Sequence, residues 1–195
     1  MQSLSTFFSY LTLGFHHIVD IKGLDHLLFI ITLCAVYQLA DWRKVAVVIT
    51  AFTVGHSITL ALASLHIIVP NRYLIEILIP VTIFISGIYN LVSVKNNSVG
   101  RTIYIKYLLA LFFGLIHGMG FSNFFSYLMG DSVNIVFPLF AFNMGIEVGQ
   151  LFIIFLYYLI TTMVLKLMKL RQTHIAYFFS AMGVAVSVFL IFNRI

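Results

Sequence analysis

Six stretches of this sequence are apolar for long enough to cross a bilayer, and that constrains the fold more than any motif in it. A helix needs roughly 20 apolar residues to span about 30 Å of hydrocarbon. Runs of that order lie at about 24–40, 44–69, 73–94, 104–129, 134–168 and 174–193. Pro70, the Lys95–Gly100 stretch, Gly130-Asp131 and Arg171-Gln172 punctuate the chain between them. Composition removes the alternatives. Of 195 residues, 62% are apolar and 9% charged, with a mean hydropathy of +1.07, whereas soluble domains are about one quarter charged. No segments alternate with a period of two, as an outer-membrane barrel requires. The expected class is therefore an all-α polytopic membrane protein, a single transmembrane domain over 1–195 with a six-helix bundle at 24–193.

Residues 1–21 are apolar but carry His16, His17 and Asp20. They suit an interfacial or re-entrant helix at the outer face better than a seventh span. The first basic residue is Lys22, so no charged n-region precedes a hydrophobic run and a cleaved signal peptide is not expected. Cys34 is the one cysteine and lies inside an apolar run, which excludes a disulfide framework and a thiolate metal cluster. No internal repeat is legible.

The net charge of +5 reads as basic loops beside a lipid bilayer, not as a nucleic-acid footprint. The first, third and fifth loops hold Arg43, Lys44, Lys95, Arg101, Lys106, Lys166, Lys169 and Arg171, against Lys22, Arg72 and Arg194 on the other side. This asymmetry predicts the odd loops in the cytoplasm and both termini outside, in the periplasm of a bacterial inner membrane.

With that topology the ionisable residues gather. Asp25 and His26 fall at the outer end of the first span, near His17 and Asp20; His56 and His117 fall near the middle of the second and fourth; Glu147 lies inside the fifth. No Lys or Arg is expected deep in any span. Thr53, His56 and Thr59 share one helix face, and Asn143, Glu147 and Gln150 form an i, i+4, i+7 stripe. Gly114 and Gly118 bracket His117, and Gly145 and Gly149 bracket Glu147, in the spacing that lets helices approach closely. Bland readings stand beside these: a membrane histidine often bonds only a neighbouring helix, and glycine pairs most often serve packing. His16, His66, His174 and Glu76 suit interfacial positions. A carboxylate at depth resists such a reading, because it costs a few kcal/mol unless paired or protonated.

Imidazole and carboxylate with nearby hydroxyl and amide oxygens, and no thiolate, suit a divalent ion such as Ni²⁺, Co²⁺ or Zn²⁺. The stretches "GFHHIVDIKGLDHLLF", "TAFTVGHSITLAL", "FFGLIHGMGFS" and "GIEVGQL", in this order and over nearly the whole chain, resemble the HupE/UreJ family of bacterial membrane proteins, specifically its second branch. The His-Pro that opens the first motif in the first branch is absent here. The resemblance implies a nickel or cobalt permease, with His17, Asp20, Asp25, His26, His56, His117 and Glu147 at the matching positions. On that expectation Asp25 and His26, with His17 and Asp20, capture an ion that His56, His117 and Glu147 hold near midplane, Glu147 exchanging a proton for it. No P-loop motif is present, so coupling is to a gradient or to a partner subunit, and a homo-oligomer is compatible with the sequence. Two other readings use the same residues. In an intramembrane zinc hydrolase, Glu147 or Asp25 is the base and Ser57 a substrate contact. In a b-type haem protein, His56 and His117 are axial ligands.

Overall fold

The computed structural model describes residues 2–20, 23–96, 103–129 and 135–194. Lys22, residues 97–100, Arg101 and the Gly130-Asp131 punctuation lie outside them. The described residues form helices α1 (Gln2–Val19), α2 (Leu24–Cys34), α3 (Trp42–Ser64), α4 (Arg72–Lys95), α5 (Ile103–Met129), α6 (Val136–Met168) and α7 (Gln172–Arg194), with a 3-10 turn at Leu39–Asp41 before α3. The protein is a membrane α-helical protein, and α3 to α7 are each long and apolar enough to cross a bilayer. Local chemistry sets several ends. Asn71 caps α4 by accepting from the Leu74 amide at 3.2 Å, and α6 stops where Lys169 turns left-handed at φ 52°.

The first expected span is shorter than its apolar run. With 11 residues, α2 rises only about 16 Å, too little to cross alone. Side chains from other helices end it. Asn90 donates to the Thr32 carbonyl, Gln172 to the carbonyls of Ala35 and Tyr37 at 3.4 and 3.0 Å, and the Tyr158 hydroxyl to Tyr37 at 3.4 Å. With its last carbonyls satisfied sideways, the helix has no need of further turns. The N-terminal helix also differs from an isolated interfacial element, because α1 packs lengthwise on α6 and buries Ile18 completely.

Three close helix pairs build the bundle: α3 with α5, α1 with α6, and α4 with α7. The first two run parallel and share one geometry. A Cβ on Gly14 would meet the Phe142 carbonyl and the Ile146 amide nitrogen, and one on Gly145 would meet the Leu11 carbonyl and the Phe15 nitrogen. In the other pair, Gly55 faces the Leu111 carbonyl and Leu115 nitrogen, and Gly114 the Phe52 carbonyl and His56 nitrogen. Shifting α1 numbers up by 41 and α6 numbers down by 31 turns the first set into the second, atom type for atom type. Because α5 and α6 run in opposite directions, the two pairs share one contact geometry in opposite orientations; the opposite signs of the two shifts mean that no contiguous segment of chain is repeated. The likeness lives in backbone contacts at glycines, and little beyond Thr12-Leu13-Gly14 and Thr53-Val54-Gly55 betrays it in the letters.

The ends of the bundle follow from the connections. Arg194 bonds the Glu76 carbonyl at 2.7 Å, which places the start of α4 and the end of α7 together. At the opposite end Lys106, in the first turn of α5, is buried, 1% exposed. Its ammonium donates to Asn90 at 2.9 Å and lies 4.8 Å from the centre of the Tyr37 ring.

Candidate metal centre

Four histidines from four helices converge inside the Arg194 end of the bundle. His17 comes from the last turn of α1 and His26 from the first turn of α2, so two consecutive helices each deliver an imidazole. His56 and His117 come from the middles of α3 and α5, which the facing glycines hold in register. The ring centres of His17 and His26 are 4.6 Å apart, those of His26 and His117 5.2 Å, and those of His17 and His56 5.9 Å.

One nitrogen from each of His17, His26 and His56 lies within 4.8 Å of the other two. Three nitrogens ~2.1 Å from one tetrahedral ion would be roughly 3.4 Å apart, so small side-chain rotations bring the three onto a common ion. Nε2 of His17, Nε2 of His26, both nitrogens of His56 and Nδ1 of His117 are buried without a protein hydrogen-bond partner. Buried polar atoms are ordinarily satisfied, and five orphaned imidazole nitrogens in one place are what a ligand set looks like. The donor chemistry fits Ni²⁺, Co²⁺ or Zn²⁺, all of which accept imidazole.

Thr82 orients the fourth ring. Its hydroxyl donates to the Ile79 carbonyl at 2.6 Å, so its oxygen is left to accept from His117 Nε2 at 3.0 Å. That assignment puts the His117 proton on Nε2 and leaves a lone pair on the orphaned Nδ1, the arrangement by which an outer partner sets a ligand's tautomer. Aromatic rings wall the place. Phe121 lies 4.0 Å from His17 between ring centres, Phe29 4.8 Å from His117, and Phe142 stacks on His56 at 6.4 Å.

A cavity of about 580 Å³ leads from the Arg194 end down to His17, His26 and His117, with Asp25, Arg72, Glu76 and Arg194 around it. Asp25 is less free than expected. Its Oδ2 accepts from Arg194 at 2.8 Å while its Oδ1 is buried without a partner. The carboxylate and imidazole set therefore has a cation at its mouth, which counting Arg194 as a loop charge had concealed. Asp20 lies by a second, shallower cavity of about 450 Å³ with His16 and His17, and His16 itself is exposed.

Glu147 is not drawn into the histidine group. It is half-buried on the flank of α6 and accepts from the Thr50 hydroxyl at 2.8 Å. Gln150 is buried and accepts from Thr53 at 2.8 Å. Asn143 bonds back to the Leu139 carbonyl at 2.8 Å, and Ser57 to the Thr53 carbonyl at 2.7 Å, so neither is held toward the imidazoles. Thr82, Arg194 and Lys106 were not found from the sequence. Nothing in their spacing marks them, because each acquires its partner from a distant helix.

Comparison with curated proteins and with solved structures finds no match for this chain. The sequence model described as HupE / UreJ protein matches residues 1–193. Four ordered motifs, an apolar helical bundle and a whole-length match agree: the chain belongs to the HupE/UreJ family.

Proposed function

We propose that the protein is a permease for a divalent transition-metal ion, Ni²⁺ or Co²⁺ as cargo, taken in from the Arg194 end. One observation carries this reading: unpaired imidazole nitrogens of His17, His26 and His56 converge beneath a cavity open to one end of the bundle. The ion enters past Asp25, whose Oδ1 is unpaired, and the imidazoles replace its water in the chamber. The test is metal binding by purified protein at several pH values. Imidazole must be neutral to ligate and protons compete for the same lone pairs, so sufficient acidification releases the ion. Binding that no acidification short of unfolding weakens would count against histidine ligation.

The bilayer placement follows from charge. Among the described residues Arg43, Lys44, Lys95, Lys106, Lys166, Lys169 and Arg171 lie toward one end, against Arg72 and Arg194 at the other. The basic end then faces the cytoplasm and the cavity faces the periplasm of a bacterial inner membrane. In this reading α1 and α2 form one interrupted crossing beside the five long helices, which gives six. Single cysteines at Val69 and Asn96 in a Cys34→Ala background should label from opposite sides. An impermeant thiol reagent reaching both from outside would reverse this conclusion.

A second reading has one observation in its favour. Three histidines beneath an open cavity also describe a catalytic zinc site, which keeps a position free for water. Net movement of the ion across a sealed vesicle distinguishes the two, since a hydrolase keeps its metal.

A further inference from the structure

The histidine chamber is open toward the Arg194 end and closed toward the other, so a path through the protein needs a second opening. On the Lys44 side of His56 one seam is chemically unlike the rest of the bundle. Within each parallel pair, α1 with α6 and α3 with α5, helices meet backbone to backbone at glycines, and a single added methyl group would collide with a carbonyl oxygen. Such contacts leave no slack. Between the pairs, α3 lies along α6, and that seam is held by side-chain hydrogen bonds: Thr53 to Gln150 and Thr50 to Glu147, each 2.8 Å.

Thr53 and Thr50 stand about one and two turns from His56 toward the Lys44 end, and Glu147 and Gln150 follow Phe142, which stacks on His56. Because α6 runs against α3, the two bonds cross side by side on the Lys44 side of the chamber, the Thr53–Gln150 bond buried and the Thr50–Glu147 bond at the exposed edge of the seam. Both nitrogens of His56 lie unpaired at its top.

We propose that the α3/α6 seam, with Thr53, Gln150, Thr50 and Glu147, is the far gate of the metal path. The two glycine-locked pairs move against each other as rigid bodies to part it. This rests on the permease reading above. Rocking of one helix bundle against another around a fixed site is a general mode of alternating access.

The experiment bridges the seam. In a Cys34→Ala background, Thr53→Cys with Gln150→Cys is treated with a short bifunctional methanethiosulfonate reagent and reconstituted in liposomes. The expected result is Co²⁺ uptake at the protein-free background when bridged, Co²⁺ binding retained, and uptake restored on reduction. Thr50→Cys with Glu147→Cys should behave alike, and it serves if the first pair misfolds. Phe7→Cys with Phe137→Cys, bridged inside one rigid pair, should transport normally. Uptake that survives complete bridging of the seam overturns the gate, as does failure of the bridge to form in folded protein. If the unsubstituted protein binds no Co²⁺, the central site fails instead, and the two failures are not confused.

Discussion

His56→Ala is expected to lower the affinity of purified protein for Co²⁺ or Ni²⁺ by more than about 100-fold, since removing even an outer-shell partner of a metal ligand commonly costs 10–100-fold. The ring is fully buried, and neither nitrogen has a protein partner. In the metal-free protein such a group contributes little, because unsatisfied buried polar atoms are a cost. The variant should therefore fold normally without metal and lose the thermal stabilisation that metal gives the parent. A packing histidine predicts the reverse: a less stable variant with its metal response intact. Thr82→Val keeps the shape of the side chain but removes the acceptor for His117 Nε2, and a loss of about 10–100-fold is expected. Calorimetric titration of both variants beside Ser57→Ala, whose hydroxyl bonds only the Thr53 carbonyl among the contacts found, checks the order. If His56→Ala binds as the parent does, the chamber is not the site.

Gly114→Ala is expected to destabilise the bundle by about 1–3 kcal/mol, the usual range for overpacking, and at the upper end of it. The added methyl would overlap the Phe52 carbonyl, and backbone cannot step aside as a flexible side chain can. The only relief is to part α3 from α5, which also displaces His56 and weakens metal binding. Gly145→Ala should cost a similar amount, because its methyl would meet the equivalent atoms of α1. Gly23→Ala should be nearly neutral: nothing lies within 4 Å of the position its Cβ would take, and its φ of −98° suits any residue. Denaturation midpoints in detergent check the three together. Equal stability of Gly23→Ala and Gly114→Ala would refute the close-approach account.

The parts of this structure that were legible are those whose cause is local. Hydropathy marks α3 to α7 because each satisfies its own backbone and needs only apolar side chains to enter lipid. The histidines were legible as a set, since a polar group at depth costs enough to demand a reason. Partners were not. Asp25 was expected at the mouth, yet its salt bridge to Arg194 joins residues 169 positions apart. Glu147 was expected beside His56 and His117 because all three are polar and near midspan. Depth alone does not fix which way a side chain faces, and a turn of α6 directs it at Thr50. The end of α2 at Cys34 was hidden in an apolar run because Gln172, Tyr158 and Asn90 set it from outside.

The composition of the histidine chamber has an electrical consequence. On the permease reading its three converging groups are imidazoles, neutral when they ligate, while Asp25 is paired with Arg194 and Glu147 with Thr50. A divalent ion held there keeps both of its charges. Carrying it from the Arg194 end to the other moves those charges through the membrane field. Each charge is worth about 2.3 kcal/mol per 100 mV, so a doubly charged cargo gains about 4.6 kcal/mol, equivalent to roughly a 2,000-fold concentration ratio. On that reading a resting voltage, negative inside, suffices to accumulate the ion.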